Sequence, residues 1–220
     1  MKISEQKLRD VLEVLDQTGV LSNVILIGSW CLLFYEKVFE QFDSTIRTLD
    51  VDFYVPNVKS VREKKDTINC LKDINFDVIH DTLTSKTTFI SPEGSFELEF
   101  LTKLNRGQLS CVKVGNTNIY AESLSYVEIF SSNYIEVNYY GLNVKVASPA
   151  SYILQKLLIN DKRKEDKREK DIESIRYLMQ YIVASKKYME ELKNLFDSLP
   201  KKWKSKILDT CFRNDLILFR

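Results

Sequence analysis

The chain has 220 residues, room for one large domain or two small ones, and is 44% hydrophobic and 29% charged. That balance excludes wholesale disorder. Lysine and arginine total 32 against 31 acidic residues, a formal charge of +1, so no global positive excess marks a nucleic-acid binder and any basic patch must be local. The four cysteines, Cys31, Cys70, Cys111 and Cys211, form no C-x-x-C pair. That argues against a zinc site or a redox dithiol and for plain buried thiols. The N-terminus lacks an apolar leader segment, and no apolar run approaches the roughly 20 residues that span a bilayer. A cytoplasmic protein with no membrane contact is expected.

In chain order, residues 2–18 predict a helix, with Leu8, Val11, Leu12 and Leu15 at helical spacing. Residues 24–27 predict a buried strand. Ser29 is placed to cap a largely apolar helix over 30–40. Residues 41–48 read as a polar loop. Residues 49–55 alternate strictly, Leu49, Val51 and Phe53 against Asp50, Asp52 and Tyr54, which predicts a strand with both aspartates on one face. A charged helix is expected over 58–71, then strands over 76–80, 87–90, 96–101, 110–114 and 118–120. A short helix is expected over 123–130. Residues 135–138 and 142–146 flank Tyr139-Tyr140-Gly141 as a hairpin. Pro149 then opens a series of helices broken at Pro200. The organisation expected is α+β, with a mixed-sheet part over 1–147 followed by a helical domain over 148–220.

Four features carry chemistry. Gly28-Ser29 stands at a strand-to-helix junction, where a close backbone, a hydroxyl and exposed N–H groups can hold phosphate oxygens. Asp50 and Asp52 project from the same strand face and suit divalent ions that prefer oxygen ligands; a solvated strand face is the plain alternative. In Phe96-Glu97-Leu98-Glu99-Phe100 the two glutamates share a face, and one of them, with Glu99 preferred, supplies a third carboxylate. Lys156 lies among apolar residues of the helix that begins at Pro149, where it could reach a triphosphate. Beyond it Lys162, Arg163, Lys164, Lys167, Arg168 and Lys170 form a local basic cluster, tempered by Glu165, Asp166 and Glu169; a solvated linker is its plain alternative.

In this order the motifs resemble the nucleotidyltransferase superfamily, the polymerase β-like fold. The matching runs are Leu26-Ile27-Gly28-Ser29-Trp30, Leu49-Asp50-Val51-Asp52-Phe53 and Leu98-Glu99-Phe100. Arg47-Thr48 before the aspartates, with Pro149, Lys156 and Lys170-Asp171 after them, is similar to bacterial toxin nucleotidyltransferases of the AbiEii-like group. The resemblance implies transfer of a nucleoside monophosphate from a nucleoside triphosphate to an acceptor hydroxyl, with RNA such as a tRNA 3′ end as one acceptor. It implies Mg2+, two ions with the nucleotide, with Mn2+ as a substitute. Asp50, Asp52 and Glu99 become catalytic and metal residues, and Gly28, Ser29 and Lys156 nucleotide contacts. Lys167, Lys170 and Asp171 are weaker candidates for the last motif. An antitoxin-type protein partner is also implied. The alternative is an inactive module that keeps the fold and acts in a complex. Trp30 is bulky and is expected to narrow the space beside the phosphates. His80, the only histidine, reads as structural, and Tyr139-Tyr140 reads as a hairpin edge.

Overall fold

The computed structural model describes residues 3–43, 49–81, 83–92, 94, 96–105 and 110–219. Among the described residues nine strands form one sheet: β1 (Ile25–Ile27), β2 (Asp50–Tyr54), β3 (Asp77–His80), β4 (Thr87–Ile90), β5 (Glu97–Lys103), β6 (Cys111–Lys113), β7 (Tyr120–Leu124), β8 (Tyr134–Tyr139) and β9 (Leu142–Ala147). The order is β3-β4-β5-β2-β1-β9-β8, and β7 pairs with both β5 and β6. Antiparallel pairs dominate, but β2–β5, β1–β9 and β5–β7 are parallel. This mixed sheet, with the α-helices that accompany and follow it, is the α+β architecture expected.

The centre of the sheet is fixed by alternation. Val51, Phe53, Leu98 and Phe100 are buried on one face of β2 and β5, with Phe53 stacked on Phe100 at 5.9 Å. Burying each such side chain contributes about 1.5–3 kcal/mol, and a slip of one residue would expose the whole set. Leu49 departs from expectation. It precedes the strand, and its side chain is 54% exposed at the sheet's end.

Helices α1 (Ile3–Gln17), α2 (Cys31–Tyr35) and α3 (Thr67–Asp73) accompany the sheet. Two are shorter than expected. α2 stops at Tyr35 because Phe39 and Phe42 turn back onto its ring, at 6.4 and 6.3 Å. The stretch expected as one helix over 58–71 is a single 3₁₀ turn, Val58–Ser60, an extended segment and then α3. Two side-chain caps set separate starts: Asn57 accepts from the Lys59 N–H, and Asp66 from that of Asn69. Between them Asn116 accepts from the Glu63 N–H and holds the chain extended. The helix expected over 123–130 is also replaced. β7 runs on to Leu124 beside β5, Tyr126 takes a left-handed φ of +70°, and a 3₁₀ turn, Val127–Phe130, follows.

After β9 the chain is helical: α4 (Pro149–Ile159), α5 (Glu165–Val183), α6 (Lys186–Ser198) and α7 (Lys201–Arg213). Ser148 caps α4 by accepting from the Ser151 N–H, with Pro149 in the first turn. α4 is buried along nearly its whole length among the other three helices. It is tied to the sheet part by the edge-on Tyr35–Tyr152 contact, and the Tyr35 hydroxyl is itself fixed by donating to the Ala147 carbonyl at the end of β9, at 2.8 Å. One continuous hydrophobic core includes residues of both parts. Among the described residues no helix is long and apolar enough to cross a membrane.

Candidate active site

The parallel register of β2 and β5 sets Asp50 beside Glu97 and Asp52 beside Glu99. Four carboxyl groups therefore share the sheet face opposite Phe53 and Phe100. Like charges at this spacing resist simultaneous ionisation. Burial, reinforced by the charges of Glu99 and then Asp50, pushes the Asp52 carboxyl up to about 7. Burial, then Glu99, raises that of Glu97 as well.

β1 ends opposite the same place, since Ile27 pairs with Asp52. The next residue, Gly28, opens a 3₁₀ turn, Gly28–Trp30, at φ +74°. A Cβ at position 28 would lie 2.7 Å from Asp52 Oδ2. Glycine is therefore required twice, by the backbone and by the approach of a carboxylate. Gly28→Ala is expected to lose about 1–2 kcal/mol from the left-handed backbone alone, and more from displacing Asp52. In the Gly28→Ala/Asp52→Ala pair the steric part should return and the backbone part persist. A four-corner urea-melt cycle reads this, and strictly additive losses would contradict it.

Ser29 is buried within this turn. The cap position of α2 falls on Trp30, one residue later than expected. Trp30 does not crowd the site. It turns into the core against Phe96, with ring centroids 5.5 Å apart, and is absent from the cavity wall.

The acidic face and Gly28-Ser29 form one wall of a cavity of about 620 Å³. The facing wall comes from α4, α5 and the segment between them and includes Lys156, Arg163, Lys167, Lys170 and Asp171. The cavity is thus bipolar, acidic on the sheet and basic on the helices. Lys156, 7% exposed, donates to Asp171, and its ammonium also lies 5.1 Å from the Tyr152 ring. Arg163 Nε lies 3.0 Å from the other Asp171 oxygen, as an ion pair without hydrogen-bond alignment. Lys167 reaches Asp50 at 3.5 Å across the cavity.

Two participants carried no separable sequence signal. Lys86, before β4, donates to Glu99 at 2.5 Å and to Glu122 of β7 at 2.9 Å. Burial alone would lower its pKa, but the bonds to both glutamates outweigh that and raise it. Glu122 lines the cavity because β7 continues the sheet past β5. Among the described residues no three acidic, histidine or cysteine side chains form a ready-made metal cage. Arg47-Thr48 lies outside the described residues. His80 is exposed on β3, its Nδ1 3.2 Å from the Thr87 hydroxyl. Tyr139 is buried and Tyr140 exposed at the hairpin, as a hairpin edge requires.

Compared with known families, residues 6–198 match the model described as Nucleotidyltransferase. The chain belongs to this nucleotidyltransferase family. Solved structures to which the chain is similar include the antibiotic-resistance factor ANT(2'')-Ia in solution, 15% identical over 87% of this chain and 89% of that one, TM-score 0.47. The same factor in complex with adenylyl-2''-tobramycin is 12% identical over 94% and 97%, TM-score 0.47. An antigenic nucleotidyltransferase-like protein from Paracoccidioides brasiliensis is 18% identical over 90% and 88%, TM-score 0.43. No curated protein matches the chain in sequence. Membership in this family implies a nucleotide substrate and transfer of a nucleoside monophosphate.

Proposed function

We propose that the chain moves a nucleoside monophosphate from a nucleoside triphosphate to an acceptor hydroxyl. The acceptor proposed, from the likeness to the AbiEii-like toxins, is RNA such as a tRNA 3′ end. The observation that carries this is the register of Asp50 and Asp52 with Glu97 and Glu99, beside Gly28 and opposite Lys156. Gly28-Ser29 admits a phosphate close to the backbone. Lys156, Lys167 and Lys170 face the same space with positive charge. Asp52 and Glu99 are the candidates to take a proton from the acceptor hydroxyl.

The donor set fits magnesium, with manganese as a substitute. Such an ion is ordinarily held by one or two carboxylates with substrate phosphates completing its shell, and Asp50 with Asp52 provides that pair. Bound there, the metal would neutralise charge on the transferring phosphate and its leaving pyrophosphate. Glu99 completes the set when Lys86 releases it.

The test is incubation with each labelled nucleotide, magnesium and total RNA. Transfer by the wild type and none by Asp52→Ala is expected; equal transfer by both overturns the proposal. A pH dependence follows from Asp52. Its folded-state pKa, about 7, lies above the ordinary carboxyl value of 3.8. The folded chain therefore holds a proton that the unfolded chain releases, and this contribution is lost as pH rises from about 4 to 7. Magnesium held by Asp50 and Asp52 would displace that proton. Its stabilisation of the melt is expected to be larger at pH 8 than at pH 5.5, and equal shifts would exclude Asp52 as a ligand.

A second reading is an inactive module acting in a complex, with an antitoxin-type partner. It is favoured by two occupied charges, Glu99 held by Lys86 and Lys156 held by Asp171. Calorimetry with magnesium and a non-hydrolysable nucleotide separates the two, because metal-linked binding supports the enzyme.

A further inference from the structure

We infer that the start of α7, with Tyr126 and Lys162, forms a docking surface for a single-stranded RNA, and that it leads the strand to the cavity. The inference rests on the RNA-acceptor reading above. The first turns of α7 read Lys201-Lys202-Trp203-Lys204-Ser205-Lys206, with no acid among them. In a chain of formal charge +1 this is the local positive excess that bulk composition hides.

The fold does not account for that placement. Free N–H groups leave a helix N-terminus partly positive, so cations in the first turn are locally unfavourable. α7 has no acid in its first turn, and Pro200 at its cap position offers no side-chain cap. Lys201 and Lys202 are exposed. Lys204 has a structural role, donating to the Asp197 carbonyl of α6. A local rule broken without a packing reason marks a functional surface. An external polyanion would satisfy the lysines and the helix end together.

The second observation is an aromatic-cationic cluster joining this turn to the cavity. Trp203, half-buried, meets Tyr126 edge-on at 5.0 Å. The ammonium groups of Lys162 and Lys206 each lie 5.3 Å from the Tyr126 ring. Lys206 is also held by Asp161 at 2.8 Å, which fixes its position beside that ring. Tyr126 sits at φ +70°, a conformation that non-glycine residues rarely adopt and that clusters at functional sites. Its chain neighbour Val127 lines the cavity, and so does Arg163, the neighbour of Lys162. A strand on Lys201, Lys202 and Trp203 would therefore run past Lys162 towards Arg163, Lys167 and Lys170. The family match ends at residue 198, so α7 lies beyond the shared segment.

Alternating phosphates and bases suit this mixture of lysines with an aromatic edge. The test uses the full chain carrying Asp52→Asn, without nucleotide, so that binding is read apart from transfer. Fluorescence anisotropy with a labelled single-stranded RNA, the same sequence as DNA, and anionic phospholipid vesicles as competitor is followed across a salt series. Lys201→Gln/Lys202→Gln is expected to weaken oligonucleotide binding about tenfold and to reduce the log–log salt slope by about two. The same variant should melt no lower than its parent, since two cations leave a helix N-terminus. Tighter binding of the RNA than of the same sequence as DNA supports the surface, and tighter binding of the DNA overturns it. Unchanged affinity and slope in the double variant overturn it, as does vesicle binding tighter than either oligonucleotide. Absence of transfer by the wild-type chain, with oligonucleotide binding retained, would fault the proposed reaction and leave this surface intact.

Discussion

Asp52→Asn is expected to remove nucleotide transfer while making the metal-free protein more stable. The loss should be on the order of 10³-fold, the scale of deleting one preorganised electrostatic contact in a transition state. The gain follows from the acidic face. Asp52 lies beside Glu99 and near Asp50, and burial with those two charges pushes its carboxyl up to about 7. Asparagine keeps the shape without the charge, so stability on the order of 1 kcal/mol for each unit of that rise should return at pH 8. Below about pH 3 the wild-type carboxyl is protonated in both states and the difference should vanish; between about pH 4 and 7 it should grow. Asp50→Asn should behave differently. Asp50 is more exposed and its contact with Lys167 is 3.5 Å, so little stability changes either way. Thermal melts across pH, paired with a transfer assay, read both effects. An Asp52→Asn protein that is inactive and less stable at pH 8 would show that Asp52 is a structural carboxylate.

The legible half of this site was the half written in strand alternation. Asp50, Asp52, Glu97 and Glu99 each sit between residues whose burial dictates the opposite face, so two short runs placed four carboxyl groups correctly. What alternation cannot give is register between strands far apart in sequence. Both glutamates turn out to stand beside an aspartate, which explains why sequence could not choose between them. Lys86 was invisible because it lies before β4 in a segment without periodicity, and its partners come from two other strands. Helix lengths failed where side-chain caps intervened. Asn57 and Asp66 divide one apolar-charged pattern into a turn and a short helix, and aromatic packing onto Tyr35 ends α2 early. Gly28 was legible as a turn, but its contact with Asp52 depends on the antiparallel pairing of β1 with β2. The helical wall was legible as charge only. That Lys156 meets Asp171, and that both line the cavity, follows from the packing of α4 against α5.

Lys156→Met should be among the most destabilising single changes in the chain. Lys156 and Asp171 are both nearly sealed from solvent, at 7% and 4% exposure. Removing the ammonium leaves a buried carboxylate with only Arg163, which is poorly aligned to it. Breaking a buried pair from one side typically costs 3–5 kcal/mol, a large share of the roughly 5–15 kcal/mol that holds a domain folded. Replacing both partners is another matter. Lys156→Met/Asp171→Leu removes the unpaired charge and puts apolar volume between α4 and α5, and Arg163 is partly exposed and can turn to water. Urea midpoints should therefore fall sharply for the single variant and return close to the wild-type value for the double. Nucleotide binding by calorimetry then separates packing from function. If Lys156 contacts the triphosphate, the double variant stays folded and loses nucleotide affinity. If it restores stability and affinity together, Lys156 only fastens α4 to α5, and the phosphate contact passes to Lys167 and Lys170 on the same wall.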